Sequence, residues 1–215
     1  MLTIAALILG AVGVVLAWQG VVRRGVSIWL AMSGSGGLAG ALALATGQVP
    51  LSPKVGRPLA ALGGLGAGVA LYLATAAFVA LVSRWPVFDR HVAEIYAQRR
   101  GLPLATALLL ASGINAPGEE LFWRGLFESR LARSFGWPAA ALLTWGAYVV
   151  VNLASQNLPI VAGAIVAGAV WSGLALWTHG VVASLVCHSV WTGLMLAVPP
   201  GAARAATGPT RRATP

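Results

Sequence analysis

The chain contains a series of apolar runs long enough to cross a lipid bilayer, and this feature constrains its fold more than any other. A helix needs about 20 predominantly apolar residues to span the hydrocarbon core of a membrane. Of the 215 residues, 58% are hydrophobic and only 9% are charged, whereas soluble globular domains carry about 25% charged residues. The sequence therefore excludes a water-soluble fold and predicts an all-α, polytopic membrane helix bundle.

Seven transmembrane helices are predicted from these runs. They cover approximately 1–22, 26–46, 59–82, 102–135, 137–153, 158–177 and 181–198. The fourth run is expected to be interrupted near Pro117, because proline cannot donate the backbone hydrogen bond that continues a helix. We predict that 1–198 form a single membrane-embedded domain and that the basic tail, 199–215, is disordered.

The segment 83–101 has a different composition and predicts one amphipathic helix on the membrane surface. Phe88, Val92 and Tyr96 fall at helical spacing on one side, among charged residues on the other. His91 is interpreted as a solvated member of the polar side. The glycine pairs and clusters in the second and third runs are interpreted as sites of close helix packing rather than phosphate-binding loops, because no strand precedes them.

The formal charge of +9 raises the question of nucleic-acid binding. The 14 basic residues, however, are spread between the apolar runs rather than clustered on one face, and a clustered basic patch is the footprint of such binding. We therefore expect membrane lipid, and no nucleic acid, as a partner. Arginine outnumbers lysine 13 to 1, which favours a GC-rich bacterial source and a multi-pass protein of the plasma membrane.

Three charged residues lie inside the fourth apolar run: Glu119, Glu120 and Arg124. Each charge at bilayer depth costs at least about 2.5 to 3.5 kcal/mol, so such residues are candidates for function. Glu120 and Arg124 are four apart with the acid first, the arrangement that favours an ion pair on one helix face. Glu119 is then left as a candidate general base. The alternative is that all three form a packing lock between helices.

Three further polar residues lie within later runs: Asn152, His188 and Thr192. His188 and Thr192 are four apart and share a helix face. If these residues converge with Glu119, the site contains a base together with donors that can stabilise an oxyanion. That combination favours water activation and hydrolysis of an acyl bond.

The run Glu119 to Arg124 (EELFWR) resembles the E-E-x-x-x-R first motif of the CAAX-protease and bacteriocin-processing family of intramembrane endopeptidases, the Rce1-like or Abi family. That family continues with F-x-x-x-H on the next helix and with a histidine motif on a later one. Tyr148 to Asn152 and His188 to Thr192 lie where these two motifs belong. The resemblance covers about 102–198.

The resemblance implies a role for each matching residue. Glu119 polarises the attacking water, Glu120 with Arg124 is the structural brace, and His188 with Thr192 stands at the oxyanion position. Two departures from the family pattern bear on the chemistry of the site. Asn152 replaces a histidine that helps to activate water, and Thr192 stands where asparagine is usual.

The predicted function is therefore an intramembrane endopeptidase that cleaves a membrane-associated peptide or lipid-anchored protein substrate. The alternative is a catalytically degenerate family member that binds a membrane peptide or protein, for example in immunity. A transporter is less favoured because the polar residues cluster instead of lining a path. Only His188 and the glutamates are available as zinc ligands, where three protein ligands are usual, so we predict no metal and no other cofactor.

Overall fold

The computed structural model describes residues 2–82 and 84–200, and within these ranges the chain is helical without strands. The α-helices are α1 (Leu2–Arg24), α2 (Ile28–Ala45), α3 (Arg57–Val82), α4 (Pro86–Ala97), α5 (Leu104–Leu108), α6 (Ala116–Glu120), α7 (Ser129–Phe135), α8 (Trp137–Asn152), α9 (Leu158–Thr178) and α10 (Val182–Ala197). The predicted disordered tail lies outside the described residues from position 201 onward.

Among the described residues, five helical segments are long and apolar enough to cross a membrane: α1, α2, α3, α8 extended to Ser155, and α9. Helix α10 is apolar but shorter, with 16 residues. The predicted polytopic all-α bundle is confirmed, whereas the count of seven spans stays a prediction. Large apolar side chains cover the outer surface of the bundle, among them Leu81, which is 77% exposed, as expected of helices that face lipid tails.

The chain remains helical from 104 to 135 and does not break at Pro117. Two π-helical segments, Leu109–Asn115 and Leu121–Glu128, lie on either side of α6. A π-helical turn is wider than an α-helical one, and such turns occur most often as local distortions at functional sites. Pro117 lies just after the point where the chain returns from π-helical to α-helical hydrogen bonding. The expected interruption is thus a change in helical hydrogen bonding, and not a break in the helix.

Glycines allow two close helix contacts that position the centre of the bundle. On α2, a Cβ atom added to Gly40 would lie 2.7 Å from the Cα of Gly118 on α6. On α3, a Cβ atom added to Gly68 would lie 2.9 Å from the carbonyl oxygen of Cys187 on α10. The interpretation of these glycines as packing sites is confirmed, and the contact on Gly118 lies next to the paired glutamates.

Helix α4 corresponds to the predicted amphipathic helix. Phe88, Val92 and Tyr96 are buried and pack against Val79 of α3. The Tyr96 hydroxyl donates a hydrogen bond to the carbonyl oxygen of Met195 at 2.9 Å, and burial raises the pKa of this phenol above its ordinary value. The apolar side of α4 is therefore docked on α3 and the end of α10.

The interpretation of His91 as a solvated residue stays a prediction, and its ring also has a partner in the protein. Its ring Nδ1 accepts a hydrogen bond from the backbone N–H of Leu158 at 3.2 Å. Leu158 is the first residue of α9. The first backbone N–H groups of a helix have no partner within the helix, so an acceptor supplied by another segment satisfies one of them. His91 thus ties α4 to the beginning of α9.

Candidate active site

The bundle encloses a cavity of about 450 Å³ whose walls come from most of the helices. Apolar side chains form most of the lining, including those of the buried face of α4. The polar side chains of its lining include those of Asn115, Glu119, Tyr148, Asn152, His188 and Thr192. Four of these six are the predicted catalytic residues. The structure therefore brings all four to the wall of one cavity.

Glu119 is 5% exposed and holds its carboxylate between two hydrogen-bond donors. Its Oε1 accepts from the Nδ2 of Asn115 at 3.2 Å, and its Oε2 accepts from the hydroxyl of Tyr148 at 2.8 Å. Asn115 lies one turn before Glu119 in the same helical stretch, and Tyr148 lies on α8. The two donors fix the position of the carboxylate and leave its remaining lone pairs for another ligand.

Glu120 points away from Glu119 and is fully buried in a network of charged and polar groups. Its Oε1 lies 3.0 Å from the Nη1 of Arg124, so the ion pair predicted from the i, i+4 spacing is present. The other guanidinium nitrogens of Arg124 donate to the hydroxyl of Ser172 at 3.3 Å and to the carbonyl oxygen of Gly168 at 3.0 Å. Arg124 therefore joins the motif-bearing helix to α9.

His188 lies between this network and the cavity. Its Nδ1 is 3.0 Å from the Oε1 of Glu120, and its ring stacks on Trp171 with a distance of 3.6 Å between ring centroids. A carboxylate on Nδ1 favours the tautomer with the proton on that nitrogen. Nε2 is then the ring nitrogen left for a partner in the cavity. Thr192 lines the same cavity one turn later on α10.

Asn152, at the end of α8, is held by two protein groups. Its Oδ1 accepts from the indole Nε1 of Trp18 at 3.2 Å, and its Nδ2 donates to the carbonyl oxygen of Tyr148 at 2.9 Å. Tyr148 thus contacts both Glu119, through its hydroxyl, and Asn152, through its backbone.

Sequence reasoning missed several residues of this site. Asn115 could have been found from its spacing, four residues before Glu119, as could Glu128, four residues after Arg124. Glu128 is fully buried, and neither of its carboxylate oxygens has a hydrogen-bond partner among the described residues. Trp18 could not have been found in this way, because it is 134 residues away from Asn152 in the chain.

The donor set does not fit a zinc site with three protein ligands. Among the described residues, no three His, Cys, Asp or Glu side chains lie close enough together to hold a metal ion. Each of the two glutamates and His188 instead has hydrogen-bond partners of its own within the protein. The absence of a metal cofactor nevertheless stays a prediction.

Comparison with known proteins finds a family match for part of the chain. No curated protein and no solved structure matches the chain. A family model matches residues 101–194, which is less than half of the chain but includes all three motif positions. The part of the chain that carries the site is therefore similar to the family described as type II CAAX prenyl endopeptidase Rce1-like, and the predicted resemblance is confirmed.

Proposed function

We propose that this protein is an intramembrane endopeptidase that hydrolyses a peptide bond of a membrane-associated polypeptide. The Rce1-like match over 101–194 supports this class of reaction. The observation that carries the proposal is the position of Glu119, whose carboxylate lines the cavity between two donors. A carboxylate held in this way at the wall of a cavity is suited to orient a water molecule and take its proton.

In the proposed reaction, Glu119 removes a proton from water as the water oxygen bonds to the carbonyl carbon of the substrate. The carbonyl electron pair moves to the oxygen, and donors from His188, Asn152 and Thr192 stabilise this oxyanion. The proton then passes from Glu119 to the leaving nitrogen as the carbon–nitrogen bond breaks. This scheme uses no metal ion and no cofactor.

Glu120 and Arg124 act as the brace of the site. Their ion pair is fully buried, and Glu120 also bonds His188. The brace therefore holds a candidate oxyanion donor in place without touching the substrate. We propose that residues 1–198 form one membrane-embedded domain that contains this site. We also propose that the protein is located in the bacterial plasma membrane.

The substrate is proposed to be a peptide or a lipid-anchored protein with apolar groups near the cleaved bond. The cavity wall is mainly apolar outside the polar cluster, with Leu71, Phe78 and Trp191 among its residues. Such a wall favours apolar side chains or a lipid chain over charged ones.

The test is cleavage of a quenched fluorescent lipidated peptide by the purified protein in proteoliposomes. Glu119→Gln should lower turnover by about 10² to 10⁴-fold, the usual contribution of a positioned general base. Glu94→Gln is the matched control, since Glu94 is exposed on α4 and lies outside the cavity. A metal chelator should leave turnover unchanged. Cleavage that persists in Glu119→Gln would place the chemistry on other residues.

A second candidate function is binding of a membrane peptide or protein without cleavage. Asn152 favours it, because an amide cannot take a proton from water and its two ends are already bonded to Trp18 and Tyr148. In that case the unaltered protein should show no Glu119-dependent cleavage, and capture of its partner should survive Glu119→Gln.

A further inference from the structure

Trp18 lies on α1, outside the region that matches the family model, yet it contacts Asn152, a motif residue that departs from the family pattern. We infer that Trp18 is a positioning residue that fixes position 152 as a hydrogen-bond donor toward the cavity. This inference rests on the proposed hydrolytic function and deepens it. It assigns Asn152 to oxyanion stabilisation and excludes it from water activation.

The orientation of the Asn152 amide follows from the chemistry of its two partners. The indole nitrogen of Trp18 carries a hydrogen and can only donate, so the group that faces it must be Oδ1. The backbone oxygen of Tyr148 can only accept, so the group that faces it must be Nδ2. Both contacts have hydrogen-bond distances, 3.2 and 2.9 Å. If the amide were flipped, its NH₂ group would face the Trp18 donor and its oxygen would face the Tyr148 acceptor, and neither pair can form a hydrogen bond.

Burial makes this arrangement rigid. Trp18 is 5% exposed and Asn152 is 4% exposed, so neither group can easily exchange its partner for bulk water. The indole of Trp18 packs with Val14 and Met32 in an apolar cluster that also contacts Ile160. The donor is therefore held in place by three helices.

The consequence for chemistry is a division of roles at the cavity wall. Trp18 takes one of the two lone pairs of the Asn152 Oδ1, and one of the two amide hydrogens of Asn152 is bonded to Tyr148. Its other amide hydrogen is the group left for the cavity, where it can donate to an oxyanion. Glu119 is then the group that takes the proton from water, with no help from position 152.

The same argument extends to the histidine that the family has at this position. In histidine, Nδ1 is bonded to Cγ, as Oδ1 is in asparagine, so Nδ1 of an introduced imidazole would meet the Trp18 donor. That contact requires an unprotonated Nδ1 and places the proton on Nε2. The imidazole would then face the cavity as a donor and not as a base. Asn152→His alone should therefore not improve turnover.

The experiment compares the unaltered protein with Trp18→Phe, Asn152→His and the double variant in the proteoliposome cleavage assay. Trp18→Phe should lower kcat about tenfold with KM unchanged, because the amide is no longer held toward the oxyanion. Asn152→His should give no gain. The double variant should exceed Asn152→His at least tenfold and should gain a new ionisation in its pH–rate profile. Trp145→Phe is the matched control, since the Trp145 indole bonds the backbone of Ile165 outside the cavity.

A second measurement is independent of activity. In the ¹⁵N-indole NMR spectrum of the protein in detergent, the Trp18 resonance is assigned by its loss in Trp18→Phe. Asn152→Leu, which removes the acceptor, should shift that resonance and leave that of Trp145 in place. An unmoved Trp18 resonance would overturn the inference, as would a gain from Asn152→His alone. Cleavage that is absent or independent of Glu119 would instead overturn the proposed function. The NMR result would still show whether Trp18 bonds Asn152.

Discussion

Glu119 and Glu120 are neighbours in the chain, but they belong to two regions with different surroundings and different kinds of interaction. Successive residues of a helix point about 100° apart, so Glu119 faces the cavity while Glu120 faces the packed interior next to α9 and α10. We call the first region the cavity cluster (Asn115, Glu119, Tyr148 and Asn152). We call the second the sealed cluster (Glu120, Arg124, Glu128 and Ser172). His188 lines the cavity and bonds Glu120, and so connects the two.

The two clusters differ in the kind of interaction that holds them. Hydrogen bonds between side chains of membrane helices contribute about 0.6 kcal/mol on average. Breaking a buried ion pair by removing one partner costs about 3 to 5 kcal/mol, because the other charge remains buried. The cavity cluster is held by the first kind of contact, whereas Glu120 and Arg124 form the second kind. Stability should therefore depend on the sealed cluster and turnover on the cavity cluster.

The largest effect is expected for Arg124→Ala. It leaves Glu120 buried without its cation and removes the bond to the carbonyl of Gly168. The free energy of unfolding should fall by about 3 to 5 kcal/mol, measured as loss of monodisperse protein after detergent extraction and thermal challenge. Glu120→Gln should act in the same direction, and Glu119→Gln should lose much less. Equal losses for all three would favour a packing lock without a division of roles.

Arg100→Ala is the control for this prediction, because Arg100 is exposed after α4. It should leave extraction and thermal stability unchanged. A comparable loss in Arg100→Ala would mean that the assay reports overall charge rather than the buried pair.

The next effect is expected for Gly118→Ala, which tests whether the closeness of α2 and α6 positions the cavity cluster. A Cβ atom at Gly118 would collide with the backbone of Gly36, and overpacking of this kind costs about 1 to 3 kcal/mol. Because Gly118 precedes Glu119, turnover should fall together with stability. Gly34→Ala on α2 is the control, since a Cβ atom there meets no atom within 4 Å. Equal thermal stability of the two variants would contradict the close contact.

The sequence predicts contacts within one helical turn better than contacts between distant helices. Glu120 and Arg124 are one helical turn apart, so the spacing alone predicts their contact. Trp18 and Asn152 are brought together by packing of distant helices, and a tryptophan in an apolar run has no local feature that indicates such a bond. The π-helical segments around α6 likewise have no sequence pattern that predicts them, although Pro117 marks their neighbourhood.

The membrane character of the chain was predictable because long apolar runs permit few other folds. The role of α4 was predictable only in part. Its amphipathic pattern is visible in Phe88, Val92 and Tyr96, but nothing local indicates that His91 bonds the backbone at the beginning of α9.

Tyr148→Phe should lower turnover much more than stability, because it removes the hydroxyl that bonds Glu119 and keeps the ring. The loss in stability should be about 0.6 kcal/mol, the average for such bonds between membrane helices. Turnover of the quenched peptide should fall about tenfold, since the carboxylate is no longer held on both sides. Tyr72→Phe is the control, because it also removes a hydroxyl bond, to the carbonyl of Val198, outside the cavity. Unchanged turnover in Tyr148→Phe would remove Tyr148 from the site.

The smallest effect is expected for Glu128→Gln. This variant compares the two glutamates of the sealed cluster, Glu120 and Glu128, with each other. Glu120 bonds Arg124 and His188, whereas neither oxygen of Glu128 has a hydrogen-bond partner among the described residues. Glutamine has nearly the same shape as glutamate, so the substitution fills the same space. Stability should change by less than about 1 kcal/mol, and turnover should stay unchanged. Parallel thermal unfolding of Glu120→Gln and Glu128→Gln measures the difference. If Glu128→Gln is as damaging as Glu120→Gln, then Arg124 depends on both carboxylates, and the brace is a three-residue unit rather than a pair.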